Sequence, residues 1–261
     1  ILNKMKIYKY FNFNMDDLSS DKKIESFQKN YLWFSKPRFF NDPFDCNIEI
    51  IKYYNDFLNS INSIADKTED LIIDNTKEFG ICCFSETKTN IHMWSHYADS
   101  HKGICVEYNS SEFDDYFSQL LQCRCYLNPV DYREKLIDLN GDIEWIKHKD
   151  YIEFKRIASI IRDPKDLDLL FEKLLLQKNK GIWSNERESR LIIGGLARQN
   201  NKDKELPSGY KVPIKRNMIT GVIFGINTPD NLRTEIQKIF GDKVQYQDTK
   251  LDFENWELKV E

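Results

Sequence analysis

Hydrophobic and polar residues alternate along this chain with the period of a strand in some segments and of a helix in others. Short apolar runs rich in aromatic and β-branched residues predict strands over residues 5–11, 31–35, 79–84, 103–108, 218–224, 244–247 and 256–260. Apolar residues at three- and four-residue spacing predict helices over residues 21–29, 48–73, 91–98, 113–121, 143–161 and 164–178. A last helix is expected to begin at residues 228–230 and to end near Gly241.

Strands and helices in this order are typical of an α+β fold. Residues 201–209 are polar and predict a hairpin or loop, and neither an internal repeat nor a long low-complexity linker divides the chain. The sequence therefore predicts one α+β domain over residues 1–261, with helical insertions.

Composition limits the partners of the protein. With 38 basic and 42 acidic residues the formal charge is -4, so the molecule as a whole does not attract nucleic acid or acidic membranes. The six cysteines form no CxxC pair and several lie in apolar runs, which is typical of free thiols in a reducing compartment. No apolar stretch approaches the ~20 residues of a membrane span, and no secretory signal opens the chain. We expect a soluble cytoplasmic protein with no membrane partner.

Two glutamates one residue apart, Glu186 and Glu188, stand before the apolar run 191–193. Alternate side chains of a strand share a face, so both glutamates and Arg190 are expected to project together, with the acidic groups roughly 6–7 Å apart. One interpretation is an exposed strand end at which Arg190 neutralises one glutamate. The other is a catalytic pair, in which one carboxylate stabilises a developing cation and the second orients a nucleophile.

Two further groups of polar residues could bind a ligand or a metal. His92 and His96 are four residues apart and resemble half of a helical zinc site, but Met93 stands where that motif carries glutamate. No metal site is therefore assigned there, and His96 and Tyr97 are expected to hydrogen-bond within the fold or to line a pocket.

Asn41, Asp42 and Asp45 could join the glutamates as magnesium ligands, although Asn-Asp-Pro is also ordinary turn chemistry. Lys9 lies between Tyr8 and Tyr10 in the first predicted strand. A buried lysine there needs an anionic partner such as a phosphate, and a surface lysine is the alternative.

Six segments resemble, in the same order, a widespread bacterial family of domains of unknown function. They are Ile7–Tyr10, Asn41–Asp45, Cys83–Glu86, Trp94–Ala98, His101–Gly103 and Glu186–Arg190. The resemblance extends over nearly the whole chain and implies no activity.

A looser resemblance is to the ADP-ribosyltransferase superfamily, in which two small sheets surround an NAD cleft. That resemblance implies a polar or basic residue on the first strand, a serine motif on a later strand and Glu-x-Glu at the start of a third. Carried over, Tyr8 and Lys9 take the first position, and Ser85 is favoured over Ser35 for the second. Glu188 becomes the catalytic carboxylate that holds the ribose 2′-hydroxyl. Glu186 serves the acceptor.

The leading hypothesis is an NAD-dependent mono-ADP-ribosyltransferase or NAD glycohydrolase of a bacterial toxin or anti-phage defence system. NAD is then the substrate and a protein or nucleic acid the acceptor. Besides Glu186 and Glu188, the residues expected at the NAD site are Tyr8, Lys9, Asn41, Asp42, Ser85, Trp94, His96, Tyr97 and Arg190. Two alternatives stay open: a metal-dependent nuclease using Asp42, Asp45 and the two glutamates, and a non-catalytic module that senses a nucleotide or a phage protein.

Overall fold

A large mixed sheet forms the centre of the protein. The computed structural model describes residues 6–46, 79–121, 125–134, 175–193 and 205–261. Within these residues, 11 strands join one sheet in the order β13-β12-β11-β4-β1-β3-β2-β10-β9, with β8 and then β5 on the other side of β3. The bounds are β1 Lys6–Phe11, β2 Tyr31–Ser35, β3 Gly80–Ser85, β4 Ile104–Asn109, β5 Cys125–Pro129, β8 Glu188–Ile193, β9 Glu205–Leu206, β10 Gly209–Pro213, β11 Ile219–Phe224, β12 Gln245–Asp252 and β13 Glu257–Val260.

Neighbouring strands of this sheet are antiparallel except β11 and β12, which are parallel. A separate parallel pair consists of β6 (Asp131–Arg133) and β7 (Gln177–Asn179). The α+β class and the mixed, mostly antiparallel sheet are thus confirmed. Where a pair of sheets was expected, the described strands other than β6 and β7 join a single sheet that forks.

The fork lies at β3. β8 pairs with all 6 residues of β3 along one edge. On the opposite edge β1 pairs with β3 only at Ser85, through Tyr8, and β2 pairs with it only at Ile81, through Ser35. Because β1 and β2 diverge between these points, the backbone of β3 at Cys83 faces an opening instead of a strand.

Helices cover both faces of the sheet. They are α1 (Lys22–Lys29), α2 (Ile91–Tyr97), α3 (Phe113–Leu121), α4 (Lys180–Trp183) and α5 (Asp230–Phe240). The rings of Phe27 in α1 and Phe240 in α5 pack 5.3 Å apart, and Phe27 also contacts Phe11 of β1 at 5.0 Å. Trp94 of α2 packs on the other face, 5.2 Å from Tyr10. Alternate residues of β1 therefore enter two separate cores.

Local sequence explains the helix boundaries. Asp21 caps α1 by accepting a hydrogen bond from the Lys23 amide, and Asn90 caps α2 through the amides of His92 and Met93. None of the helices in the described part of the chain has the length and apolar character needed to cross a membrane.

Several predicted elements need correction or lie outside the described residues. The predicted helix over 164–178 is wrong at its end, because Gln177 and Lys178 belong to β7 and pair with β6. Of the hairpin or loop predicted over 201–209, the hairpin is confirmed for the described residues from 205 on, where β9 pairs with β10. The predicted helices over 48–73 and 143–161 fall outside the described residues.

Candidate functional site

A cavity of about 260 Å³ opens at the fork of the sheet. Its walls come from β1, from the end of β2 and the segment after it, from β3, from α2, and from an acidic turn before β8. The lining residues are Tyr8, Lys9, Tyr10, Ser35, Phe39, Phe40, Asn41, Cys83, Phe84, Ser85, Met93, Tyr97, Lys178, Glu186 and Glu188.

Glu188 and Arg190 project from the same face of β8, as the strand period predicts. Arg190 is fully buried, and its guanidinium donates from Nε to Glu188 Oε1 at 2.8 Å. Its two terminal nitrogens each donate to one oxygen of Asp45, at 2.8 and 2.6 Å. This two-pronged pair holds the turn after β2 against β8.

Glu186 does not lie on β8, so its expected strand geometry is wrong. It ends a 3-10 turn over Ser184–Glu186, and Arg187 follows with a φ of 46°. The Ser85 hydroxyl donates to the Glu186 carbonyl at 2.8 Å, and the Glu86 amide donates to the Arg187 carbonyl at 2.9 Å. The turn is therefore fixed to the end of β3, and the Glu186 side chain enters the cavity beside Glu188.

Lys178 joins the two carboxylates. Its ammonium donates to Glu186 Oε2 at 2.6 Å and to Glu188 Oε2 at 2.9 Å, and it lies 4.5 Å from the centre of the Trp183 ring. The side chain is only 5% exposed. Pairing with β6 fixes its strand, and the Asn179 side chain caps α4, which turns the chain back toward Glu186.

Lys178 is not among the predicted site residues, because the sequence pattern predicts a helix at this position. One signal pointed to it. Like charges that share a buried site need a buried cation, and Lys178 is the last residue of the predicted helix, shortly before the glutamates.

One cluster of buried charged groups consists of Glu186, Glu188, Asp45, Lys178 and Arg190, and opposite charges within it stabilise each other. Burial alone would raise the pKa of Glu188, but the charge and hydrogen bonds of Arg190, with the charge of Lys178, lower it to about 2. Burial would lower the pKa of Lys178, but Glu188 and Glu186 raise it above its ordinary value. Asp45 Oδ2 lies 3.9 Å from the same ammonium. Three carboxylates thus meet two cations in this cluster, and Lys9 adds a third cation at the same cavity.

Tyr97 completes the surroundings of Glu186. Its hydroxyl donates to Glu186 Oε1 at 2.6 Å. Burial raises the pKa of Tyr97, as do the hydrogen bond to Glu186 and the charge of Glu186, while a hydrogen bond with Asn41 lowers it. Asn41 and Tyr97, both expected at the site, thus contact each other, and Tyr97 contacts Glu186.

Three motif positions lie in one row across three strands. Tyr8 of β1 is opposite Ser85 of β3, and Ser85 is opposite Glu188 of β8. Burial and the nearby Glu107 raise the pKa of Tyr8 to about 12, so its hydroxyl is neutral. Ser35, the competing serine, lines the same cavity from β2 and lies outside this row.

Lys9 occupies the opening between β1 and β3. Its ammonium donates to the Cys83 carbonyl at 2.8 Å and lies 5.5 Å from the centre of the Phe84 ring. It therefore satisfies a backbone acceptor that no strand reaches, and part of its side chain lines the cavity.

Four of the expected site residues lie away from the cavity wall, namely Arg190, which is buried behind Glu188, and Trp94, His96 and Asp42. Trp94 is fully buried and donates from its indole to the Lys88 carbonyl at 2.9 Å. His96 is exposed on α2 and stacks on His92, with ring centres 6.5 Å apart. Asp42 is buried and caps its own turn through the Phe44 amide, at 2.9 Å.

Metal ligation has little support from this arrangement. Among the described residues, no group of three or more His, Cys, Asp or Glu side chains is placed to hold a metal ion. Both oxygens of Asp45 accept hydrogen bonds from Arg190, and both glutamates are bound to Lys178. A metal bound here would have to displace these cations.

Residues 93–191 of the chain match a family of proteins of unknown function, DUF2971. The DUF2971 match begins in α2 and ends in β8, so it includes Lys178 and both glutamates. It supports the expected resemblance to a family of domains of unknown function. No curated protein and no solved structure matches the chain.

Proposed function

We propose that the cavity at the sheet fork is the site of an NAD-dependent mono-ADP-ribosyltransferase or NAD glycohydrolase. The row formed by Tyr8, Ser85 and Glu188 carries the proposal. These residues come from the three motifs that the resemblance to ADP-ribosyltransferases implies, and they adjoin one cavity although up to 180 positions separate them in the 261-residue chain.

The charge of Glu188 suits this reaction. The nicotinamide ring of NAD is cationic, and its positive charge moves to the ribose as the glycosidic bond breaks. Glu188 stays ionised and is held in place by Arg190, so it can stabilise that cation without reorienting. Tyr8 and Tyr97 supply aromatic surface for the ligand rings.

The cavity suits one end of the dinucleotide. Its volume of about 260 Å³ is near the lower limit for small-molecule sites, which begin at about 300 Å³. We therefore place the nicotinamide and its ribose in the cavity, with the rest of NAD extending past the rim. A protein or nucleic-acid acceptor, and a role in a bacterial toxin or in anti-phage defence, are carried over from the resemblance.

Nicotinamide release tests the proposal. Wild-type protein incubated with NAD and several acceptors is expected to release nicotinamide, measured by chromatography. Glu188→Gln keeps the shape of the side chain but removes the charge, so the rate should fall about 100-fold or more. Glu254→Gln changes an exposed glutamate far along the chain and should leave the rate unchanged.

Circular dichroism of each variant separates a lost activity from a lost fold. Absence of nicotinamide release from folded wild-type protein, with every acceptor, would contradict the proposal.

A non-catalytic ligand-binding module is the second candidate, and one observation favours it. Every carboxylate oxygen of Glu186 and Glu188 already accepts a hydrogen bond from Tyr97, Lys178 or Arg190. In that case NAD would bind without turnover. Calorimetry would then give equal affinity for the wild type and for the double variant Glu186→Gln with Glu188→Gln.

A further inference from the structure

We infer that Lys178 restricts this site to neutral acceptors, a hydroxyl group or water, and excludes the guanidinium of an arginine side chain. The inference rests on the proposed function and concerns the acceptor only. Glu-x-Glu by itself resembles the arginine-directed members of the superfamily, and Lys178 makes a cationic acceptor unfavourable at this site.

Glu186 is the carboxylate that the resemblance assigns to the acceptor. Its Oε2 accepts a hydrogen bond from Lys178 at 2.6 Å, and its Oε1 accepts one from Tyr97 at 2.6 Å. An arginine acceptor prefers both oxygens of a carboxylate at once, in a two-pronged pair. The Lys178 ammonium is fixed on one of these oxygens, so a guanidinium could form that pair only directly beside a positive charge.

Lys178 is not free to move aside. Its ammonium is bound to two carboxylates, lies over the Trp183 ring at 4.5 Å and is 5% exposed. A guanidinium that approached Glu186 would come within a few ångströms of this ammonium, and the repulsion is strong because the ammonium is buried.

A neutral hydroxyl meets neither obstacle. Glu186 Oε1 already accepts a hydrogen bond from the neutral Tyr97 hydroxyl, and a second neutral hydroxyl there would not be repelled by Lys178. A carboxylate oxygen offers two acceptor positions, so one remains beside Tyr97 for an alcohol or for water.

ADP-ribose is then transferred from nicotinamide to the acceptor oxygen, with one bond broken and one formed. The bond between the ribose carbon and the nicotinamide nitrogen breaks, and its electron pair leaves with nicotinamide, which becomes neutral. The acceptor oxygen forms a bond to the ribose carbon, and its proton passes to Glu186. Lys178 remains protonated throughout. The products are nicotinamide and either an O-linked ADP-ribose or, with water, free ADP-ribose.

A comparison of two small acceptors tests the inference on wild-type protein. NAD is incubated with methanol, which is neutral, or with agmatine, which carries the guanidinium group of arginine, and the products are separated by mass. We expect methyl ADP-ribose or ADP-ribose in the methanol sample. In the agmatine sample we expect ADP-ribose alone, with no increase in nicotinamide release.

An agmatine adduct as the main product would overturn the inference and leave the proposed function standing. A failure to release nicotinamide in any sample would instead overturn the proposed function, and the inference with it. The two failures are therefore distinguishable.

Substitution of the lysine provides a second test. Lys178→Met keeps an unbranched side chain and removes the charge, so formation of the agmatine adduct should rise at least about tenfold relative to hydrolysis, as expected for a lost like-charge contact. Lys180→Met removes a lysine that is 57% exposed two residues away and should leave the product ratio unchanged.

An unchanged product ratio in folded Lys178→Met would overturn the inference. If that variant does not fold, the wild-type product ratio decides the question alone.

Discussion

Arg190 places a full charge inside the protein, and its partners make that possible. Its five N–H donors meet Glu188, Asp45 and the Leu175 carbonyl. A buried guanidinium with these partners joins β8 to two segments that are remote in sequence. Arg190 therefore has a structural role in addition to holding Glu188.

Arg190→Met is expected to destabilise the fold strongly. The change leaves Asp45 and Glu188 buried without their main cation, and breaking a buried pair in this way costs about 3–5 kcal/mol. Urea denaturation followed by tryptophan fluorescence measures the free energy of unfolding.

The neighbouring arginine provides the control. Arg187 is 62% exposed and lies 3.7 Å from Glu86 in a surface ion pair, so Arg187→Gln should change stability by less than about 1 kcal/mol. Equal losses in the two variants would contradict the role given to Arg190.

The lowered pKa of Glu188 predicts how the stability of the fold changes in acid. Its pKa is about 2 in the folded protein and about 4.3 in an unfolded chain. The folded state therefore holds its charged form more strongly, and this contribution is fully present above pH about 4.5 and lost as the pH falls toward about 2. Urea denaturation at about pH 6 and about pH 3 should show a smaller loss of stability for Glu188→Gln than for wild type.

Glu254→Gln should keep the wild-type loss, because its side chain is exposed. An equal loss in Glu188→Gln and wild type would show that this carboxyl is not stabilised by folding.

Part of the candidate site follows from the sequence at the scale of residues. The strand period correctly placed Glu188 and Arg190 on one face, because both lie within β8. It failed for Glu186, since the φ of 46° at Arg187 interrupts the alternation. It also could not find Lys178, whose position depends on the pairing of two three-residue strands far apart in the chain.

At the scale of elements, close packing at Gly103 sets the position of α2. The Gly103 amide donates to the Ala98 carbonyl at 2.8 Å, which ends the turn after the helix. A Cβ atom on Gly103 would lie 1.9 Å from the Phe11 carbonyl oxygen of β1. Only glycine allows β4 to begin this close to β1, which brings Tyr97 to the site.

Gly103→Ala is therefore expected to lower the free energy of unfolding by about 1–3 kcal/mol or more, because backbone must shift to admit the methyl group. Thermal denaturation measures the change. Gly181→Ala is the matched control, since its Cβ would meet no described atom closer than 3.5 Å and alanine favours the helix. It should be neutral or slightly stabilising.

Elements whose ends and apolar pattern are marked in the local sequence were predicted well. Helix α1 has an aspartate cap and an apolar face, and β1, β3 and β11 are apolar runs with clear ends. The short strands β6, β7 and β9 have 2 or 3 residues each, which is too few to show the alternation of apolar and polar residues that marks a strand. Their formation depends on pairing with neighbouring strands.

At the scale of the whole molecule, the sequence predicted the class but not the connections. Alternation of strands and helices along the chain indicated an α+β fold, and the structure agrees. The strand order places β3 between β1 and β8, although β8 lies more than 100 residues later. Such pairing depends on contacts between distant segments, and local patterns do not encode it.

The fork in the sheet also determines how the cavity can change shape. The two arms that enclose it, β1 and β2, are each tied to β3 at a single register position. Strand β3 itself, by contrast, pairs with β8 along its whole length. A ligand that separates β1 from β2 would strain only these two pairings with β3. The opening of the cavity can therefore widen while Glu188, on β8, keeps its position.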